Sequence, residues 1–263
     1  MAQSVRAVDR ALDILLCFTR EEPTRSLTQI AESVQMSKTT VHRLLTTLEI
    51  KRFISRDKDT GMYRLGFRIV EMASLVLQDM DLRRWTQPYL KNLSEMYGET
   101  VDLSVLDGSH VIYLEVIESP RRVKLAAATG QRLPAYFTAS GKALLAFAPT
   151  EQVEKILAEN FAEHNGESIP TISRAKEDLV KVVERGYAIS EQEYEEQINA
   201  VSAPIFDSEH RAIASIAIVG PSFRLSRERL PELGESIRKI ADEISREVGM
   251  TALSAIAAKT RNR

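Results

Sequence analysis

The stretch from Ser37 to Leu48 is what most limits how this chain can fold. Val41, Leu44, Leu45 and Leu48 stand at i, i+3, i+4 and i+7, one apolar stripe of a helix. Ser37 is a good N-cap for that helix. The opposite face carries Lys38, Thr39, His42, Arg43 and Thr46. Such a helix needs apolar partners, and two earlier patterns supply them. Val8, Ala11, Leu12, Leu15 and Leu16 repeat at helical spacing, and so do Leu27, Ile30, Ala31 and Val34. Glu21-Glu22-Pro23 breaks the first, Thr28 lies near the start of the second, and Gln35-Met36 turns the chain into the third. Residues 53–56 and 62–65 then flank the polar turn Asp57-Lys58-Asp59-Thr60-Gly61, the pattern of a β-hairpin. Three helices followed by a charged hairpin is the order of a winged helix-turn-helix.

Those residue types suit double-stranded DNA for physical reasons. A helix fits the major groove, and its N-terminal residues reach base edges and phosphates. Ser37, Thr39 and Thr40 offer short hydroxyls to phosphate oxygens, where the helix dipole favours an anion. Lys38, His42 and Arg43 project toward the groove, with Thr46 one turn further. Arg43 suits bidentate contact to guanine, worth roughly 1–3 kcal/mol of discrimination. Arg56, Lys58 and Arg64 on the hairpin face flanking phosphates, and Arg6 and Thr28 complete the expected DNA-binding set. On one helix alone the same residues would read as a solvated face. The wing and the local charge reverse that balance. The whole chain carries −2, but residues 1–66 hold 11 Lys+Arg against 8 Asp+Glu, a net of +3. The remaining residues hold 24 against 29, a net of −5. A basic front and an acidic back suit a chain that touches DNA with one end.

Residues 66–78 are apolar nearly all round, which predicts a helix buried on several sides, against a second subunit. From Asp81 the character changes. The patterns predict a helix over 82–97 and a hairpin of strands 100–106 and 110–117. They also predict a strand over 123–128 and a loop over 132–149 that leads into a helix starting at Thr138-Ala139-Ser140-Gly141-Lys142. Helices over 150–159 and 173–185 follow, then strands over 187–190, 200–206 and 212–219 and a last helix over 229–248. Strands in succession with helices around them predict an α+β domain with a mainly antiparallel sheet. The lone Cys17 sits in a helix pattern and reads as a small buried apolar residue. The chain lacks an apolar run of membrane-spanning length and a signal-peptide pattern, which predicts a cytoplasmic protein with no membrane partner.

Residues 4–250 resemble the IclR family of bacterial transcriptional regulators. The resemblance rests on several motifs. Ser4-Val5-Arg6-Ala7-Val8-Asp9-Arg10-Ala11-Leu12 resembles the opening helix. Leu27-Thr28-Gln29-Ile30-Ala31 and residues 37–48 resemble the helix-turn-helix. Leu133-Pro134 with residues 140–146 resembles the effector-domain loop and helix, and Gly186-Tyr187-Ala188, Glu193 and residues 201–207 match the signature near the C-terminus. The resemblance implies a winged helix-turn-helix over 1–65, a dimerising linker helix over 66–80, a GAF-like effector-binding domain over 81–250 and a frayed tail over 251–263. It implies a homodimer or dimer of dimers on a pseudo-palindromic operator, and control by a small organic carboxylate or aromatic effector. RNA polymerase is a candidate further partner. Carried over residue by residue, it points to an effector site of Leu125, Leu133, Ala139, Ser140, Ser190, Ile198, Ala200, Ala217 and Val219. With so few polar groups, that set favours hydrocarbon or aromatic surface over a glyoxylate- or pyruvate-like ligand. Ser140 at a helix start would offer its N–H to an anionic group.

Other chemistries fit poorly. A phosphate loop needs Gly five residues before Gly141 and Ser or Thr after Lys142, where the chain has Tyr136 and Ala143. Ser140 and Lys142 lack the S-x-x-K spacing of a Ser/Lys hydrolase. His42, His110, His164 and His210 are scattered without nucleophile or metal-ligand spacing. The acidic run 191–196 reads as a solvated loop. No catalytic residue, metal or cofactor is expected. The alternative function is a GAF-like sensor acting through protein partners.

Overall fold

Residues 5–78, 82–163 and 171–261 are described by the computed structural model. The chain divides into an N-terminal unit, Met1–Met80, and a C-terminal unit, Asp81–Arg263. Ser4, residues 79–80 at the end of the expected linker, Asp81 at the expected start of the effector domain, His164 and the last two residues of the tail lie outside the described residues.

In the N-terminal unit, helices α1 (Arg6–Leu16), α2 (Leu27–Ser33) and α3 (Lys38–Ile50) pack around Ile14, Cys17, Ile30, Ala31, Val41 and Leu45. Strands β1 (Thr24–Arg25), β2 (Ile54–Arg56) and β3 (Tyr63–Leu65) form an antiparallel sheet in the order β1-β3-β2, and Ile54 and Tyr63 anchor it to that core. Thr28 is the second residue of α2, and Ser26 is its cap. Ser26 Oγ accepts from Gln29 N–H at 3.3 Å while Ser26 N–H donates to Gln29 Oε1 at 2.8 Å, a capping box. Gln35 takes a left-handed conformation, φ 51°, which turns the chain from α2 into α3. The stripe expected on α1 splits in two. Ile14 is buried, but Val5, Val8, Leu12 and Leu16 are exposed. Helix α4 (Arg68–Gln78) likewise leaves Val70, Met72 and Leu75 exposed in the single chain, with Phe67 exposed just before it.

The C-terminal unit is built on a six-stranded antiparallel sheet in the order β6-β5-β4-β9-β8-β7. These strands are β4 (Thr100–Asp107), β5 (His110–Ile117), β6 (Arg132–Pro134), β7 (Ala188–Glu191), β8 (Ile198–Phe206) and β9 (Ala212–Pro221). The long helices α5 (Leu82–Tyr97) and α9 (Leu230–Arg261) pack against it and against each other. The short helix α6 (Ala139–Leu145) packs on β4, β8 and β9, with α7 (Thr150–Glu163) and α8 (Ile172–Arg185) beyond it. Alternation along the strands assigns the faces. Asp102, Ser104, Ser215, Ala217, Val219, Ala200 and Ser202 share one face through the pairs Asp102↔Ala217, Ser104↔Ser215, Ala200↔Val219 and Ser202↔Ala217. That face meets α6, because Ser215 Oγ donates to the Ser140 carbonyl.

Three expectations are corrected. Residues 123–128 form no strand; they run as a loop, and the free edge of β5 is taken instead by β6, inside the stretch read as loop. Strand β1 was not anticipated. The α9 backbone runs on to Arg261, through residues expected to be frayed.

The closest approach in the C-terminal unit is at Gly141. A Cβ there would stand 1.9 Å from the Ala135 carbonyl oxygen. Gly141→Ala therefore forces α6 off its seat. The variant should lose more than an ordinary overpacking cost of about 1–3 kcal/mol, and thermal denaturation followed by circular dichroism checks this.

Candidate functional site

The N-terminal unit presents the α3 face as the residues require. Lys38, Thr39, His42, Arg43 and Thr46 are exposed, and Thr40 is half-buried. Ser37 is exposed but its hydroxyl is occupied: it accepts from Thr40 N–H at 3.3 Å and pairs with Thr40 Oγ1 at 2.9 Å. It acts first as the cap, so its availability to a phosphate is lower than expected. Thr46 Oγ1 donates back to the His42 carbonyl at 2.9 Å, which fixes that hydroxyl along the helix. Thr28 is half-buried on α2, and Arg6 is exposed at the start of α1.

The wing is stiffened from within. Asp57 Oδ1 accepts from Asp59 N–H, Thr60 N–H and Thr60 Oγ1, and these bonds hold its carboxyl below the usual range. Arg56 stacks over the Tyr63 ring at 5.3 Å and donates to the Gly61 carbonyl. Lys58 and Arg64 remain exposed.

The C-terminal unit holds a cavity of about 70 Å³ between α6, the sheet and the loop before α6. Eight of the nine carried-over residues line it: Leu125, Leu133, Ala139, Ser140, Ser190, Ile198, Ala200 and Val219. Ala217 does not. It is fully buried in the small cluster of Ala139, Ala200 and Val219 behind the wall. Sequence reasoning missed Tyr113, Ala126, Ala127, Gln131, Phe137 and Thr138 in the lining, and Tyr194 and Glu195 at its exposed mouth.

Helix α6 positions the site. Thr138, where the helix was expected to start, is its N-cap, accepting from Gly141 N–H at 3.0 Å. Ser140 is the second helical residue, and its hydroxyl donates at 3.2 Å to Asp102 Oδ1 beneath it. Ser104 Oγ donates to the same oxygen at 2.5 Å. Burial pushes the Asp102 carboxyl up to about 7 against the pull of these two hydroxyls. Burial first, then the charge of Asp102, pushes the Tyr113 phenol up, so it stays neutral.

Lys142, on the far side of α6, is 2% exposed. Its Nζ reaches Asp178 of α8 at 2.9 Å and Glu193 at 2.5 Å, and lies 5.1 Å from the centre of the Tyr136 ring. Burial raises the Glu193 carboxyl, and Lys142 opposes that shift. The acidic run is therefore not a purely solvated loop: Glu193 ties it to Lys142, beside Tyr194 and Glu195 at the cavity mouth. No group of His, Cys, Asp and Glu suited to a metal ion occurs among the described residues. None of their helices is long and apolar enough to cross a membrane.

Comparison with known proteins settles the class. Residues 7–58 match the IclR helix-turn-helix domain, and residues 74–246 match the bacterial transcriptional regulator IclR C-terminal domain. The chain belongs to the IclR family. Among its IclR-family relatives, the HTH-type transcriptional regulator KipR of Bacillus subtilis is 32% identical over 252 residues, covering 95% of this chain and 100% of KipR. The crystal structure of Thermotoga maritima IclR superposes with a TM-score of 0.74 at 30% identity, covering 93% of this chain and 99% of that one. An IclR homologue from Microbacterium hydrocarbonoxydans, solved with 4-hydroxybenzoate, shares the fold at TM-score 0.76 and 23% identity, over 92% and 99% of the two chains. The chain is thus an IclR-family transcriptional regulator with an N-terminal DNA-binding helix-turn-helix and a C-terminal effector domain.

The buried carboxyl has a measurable consequence. The unfolded chain releases the Asp102 proton near 3.8, while the native state holds it to about 7. Across that interval the native state binds more protons, so stability falls as pH rises. Asp102→Asn removes this dependence. The melting temperature of the wild type should therefore drop relative to Asp102→Asn between about pH 4 and pH 8; parallel curves would show that the native carboxyl titrates normally.

Proposed function

We propose that this IclR-family regulator reads a pseudo-palindromic operator with α3 and the wing, as a homodimer or dimer of dimers, and that a small organic ligand in the α6 cavity modulates that grip. The exposed face of Lys38, Thr39, His42, Arg43 and Thr46 on a capped helix carries the reading. Arg43 reads a base edge, Lys38, Thr39 and Thr40 meet phosphates or bases near the helix start, and Arg56, Lys58 and Arg64 hold the flanking backbone. Arg6 and Thr28 contribute at the edge of this surface, and Ser37 contributes mainly as the cap.

Self-association is supported by the exposed apolar side chains of the N-terminal unit. Val8, Leu12 and Leu16 on α1, and Val70, Met72 and Leu75 on α4, stand exposed in the single chain, apolar surface of the kind that a partner covers. Two-fold operators mirror two-fold proteins. The cavity is about 70 Å³, roughly half the size of a void that admits benzene. A ligand therefore enters end-on, its body across the mouth beside Tyr194. Of the carboxylate and aromatic characters expected for it, the apolar wall of Leu125, Leu133, Phe137, Ile198 and Val219 supports the aromatic or hydrocarbon one. Coupling between the two sites is expected at the usual size of about 1–3 kcal/mol.

Fluorescence anisotropy on the intergenic DNA upstream of the gene tests the DNA reading. Arg43→Ala should weaken binding by about fivefold or more, the low end of a lost bidentate contact. Arg56→Ala should flatten the salt dependence with little change in sequence preference. Unchanged affinity in Arg43→Ala, with weak salt dependence in the wild type, would favour a sensor acting through protein partners.

A further inference from the structure

Asp102 is a buried carboxyl that no cation faces among the described residues. It is 1% exposed, its Oδ1 accepts from Ser104 and Ser140, and its Oδ2 has no hydrogen-bond partner among those residues. Helix α6 brings Ser140 to it, while the Lys142 ammonium is held on the far side of α6 by Asp178 and Glu193. Strand β9 brings Ala217 and Ser215, β5 brings Val116 and the phenol of Tyr113, and Ser202 follows on β8. Glu115 lies on the opposite sheet face, paired with Arg83 of α5. One hydroxyl joins this carboxyl to the cavity: Ser140 lines the cavity, and its Oγ stands 3.2 Å from Asp102 Oδ1. The lining mixes donors and acceptors. The Tyr113 phenol can donate to a ligand, and so can the Gln131 amide, whose oxygen already accepts from Ala128 N–H. Tyr194 and Glu195 add titratable groups at the mouth, and the described lining includes no Lys, Arg or His.

We infer that a carboxylate ligand of this cavity is bound together with one proton, taken from water onto Asp102, and that the Ser140 hydroxyl turns from Asp102 to the ligand as this happens. The inference rests on the cavity being the effector site. An ionised carboxylate only accepts, so while Asp102 is charged the Ser140 hydroxyl must donate to it. A ligand carboxylate arriving then meets a lone pair of Ser140 and a second negative charge behind it. Two carboxylates in one buried site with no cation share a proton rather than both ionise. With that proton on Oδ1, Asp102 donates to Ser140 Oγ, and the Ser140 hydroxyl proton goes to the ligand. Ser104 continues to donate to the same carboxyl. The ligand brings one negative charge and the proton one positive charge, so the net charge of the site is unchanged. Burial already holds the Asp102 carboxyl at about 7, so the proton is available to it near neutral pH.

Isothermal titration of the full-length protein with sodium benzoate at pH 6 and pH 8 tests this, since benzoate stays ionised at both. The wild type should bind benzoate about fivefold to tenfold more weakly at pH 8, close to the limit for one linked proton on a group that ionises near 7. Asp102→Asn carries an amide that can donate to Ser140 at every pH. It should bind benzoate equally at the two pH values, within about twofold, and at pH 8 about fivefold or more tightly than the wild type. If circular dichroism shows that Asp102→Asn does not fold, the wild-type titration at pH 8 is repeated in two buffers of different ionisation enthalpy. That pair counts the protons taken up, and close to one per benzoate is expected. A wild-type affinity independent of pH, an equal fall in Asp102→Asn, or no proton uptake overturns the inference while leaving the cavity as the ligand site. Leu125→Trp, which fills the cavity from its loop wall, should abolish benzoate binding. Binding unchanged in that variant overturns the cavity reading itself, and the inference with it.

Discussion

A seven-residue helix with every residue out of water is the constraint on which the C-terminal unit depends. Helix α6 has no solvated face, so each polar group it carries must find a partner inside the protein. Thr138 caps its start, Ser215 donates to the Ser140 carbonyl, Asp102 accepts from the Ser140 hydroxyl, and Lys142 needs both Asp178 and Glu193. Gly141 lets its backbone touch Ala135, where a methyl group would collide with the carbonyl. The cavity follows from these demands. It is the space left where a helix that must sit close meets a sheet wall of small residues, Ala200 and Val219, backed by Ala217.

Much of this was legible in the sequence, and the reasons are specific. Helix α3 is readable because its apolar stripe, its cap and its polar face all agree. Strands β4 and β5 are readable because a turn at Asp107-Gly108-Ser109 separates two runs of strand-forming residues, and Gly108 adopts the left-handed φ of 60° that the turn needs. The family motifs reached most of the cavity wall. Strand β1 was not legible, since two residues carry no periodicity and pair only because β3 offers an edge. Residues 123–128 have strand-like composition, but Arg132–Pro134 takes the β5 edge, and the loop lines the cavity instead. On α1, apolar spacing alone could not separate the inward Ile14 from the outward Val8, Leu12 and Leu16.

The most instructive misses are polar. In Thr100-Val101-Asp102-Leu103-Ser104, alternation puts Asp102 and Ser104 at positions that normally face water. Here that face lies under α6, so the pattern that should mark a solvated surface marks a buried polar floor. Glu193 was hidden in a different way. Within a run of glutamates it looks like one solvated charge among several; the family signature marked the position, and its ion pair with Lys142 across α6 supplies the physical reason.

Floor and mouth are therefore held by different forces, and this bears on how a ligand can act. The floor is a set of buried hydrogen bonds among Ser104, Asp102, Ser140 and Ser215, all nearly out of water, and such packing resists continuous deformation. The mouth is tied by the ion pair of Glu193 with Lys142, which Asp178 shares, and by hydrogen bonds among Gln192, Glu195, Gln197 and Ile198. A ligand shifts a regulator only by its differential affinity for two states. A floor that barely moves contributes selectivity equally in both states. On the proposed reading of the cavity as the effector site, the difference that a regulator needs falls to contacts with Tyr194, Glu195 and their neighbours at the mouth.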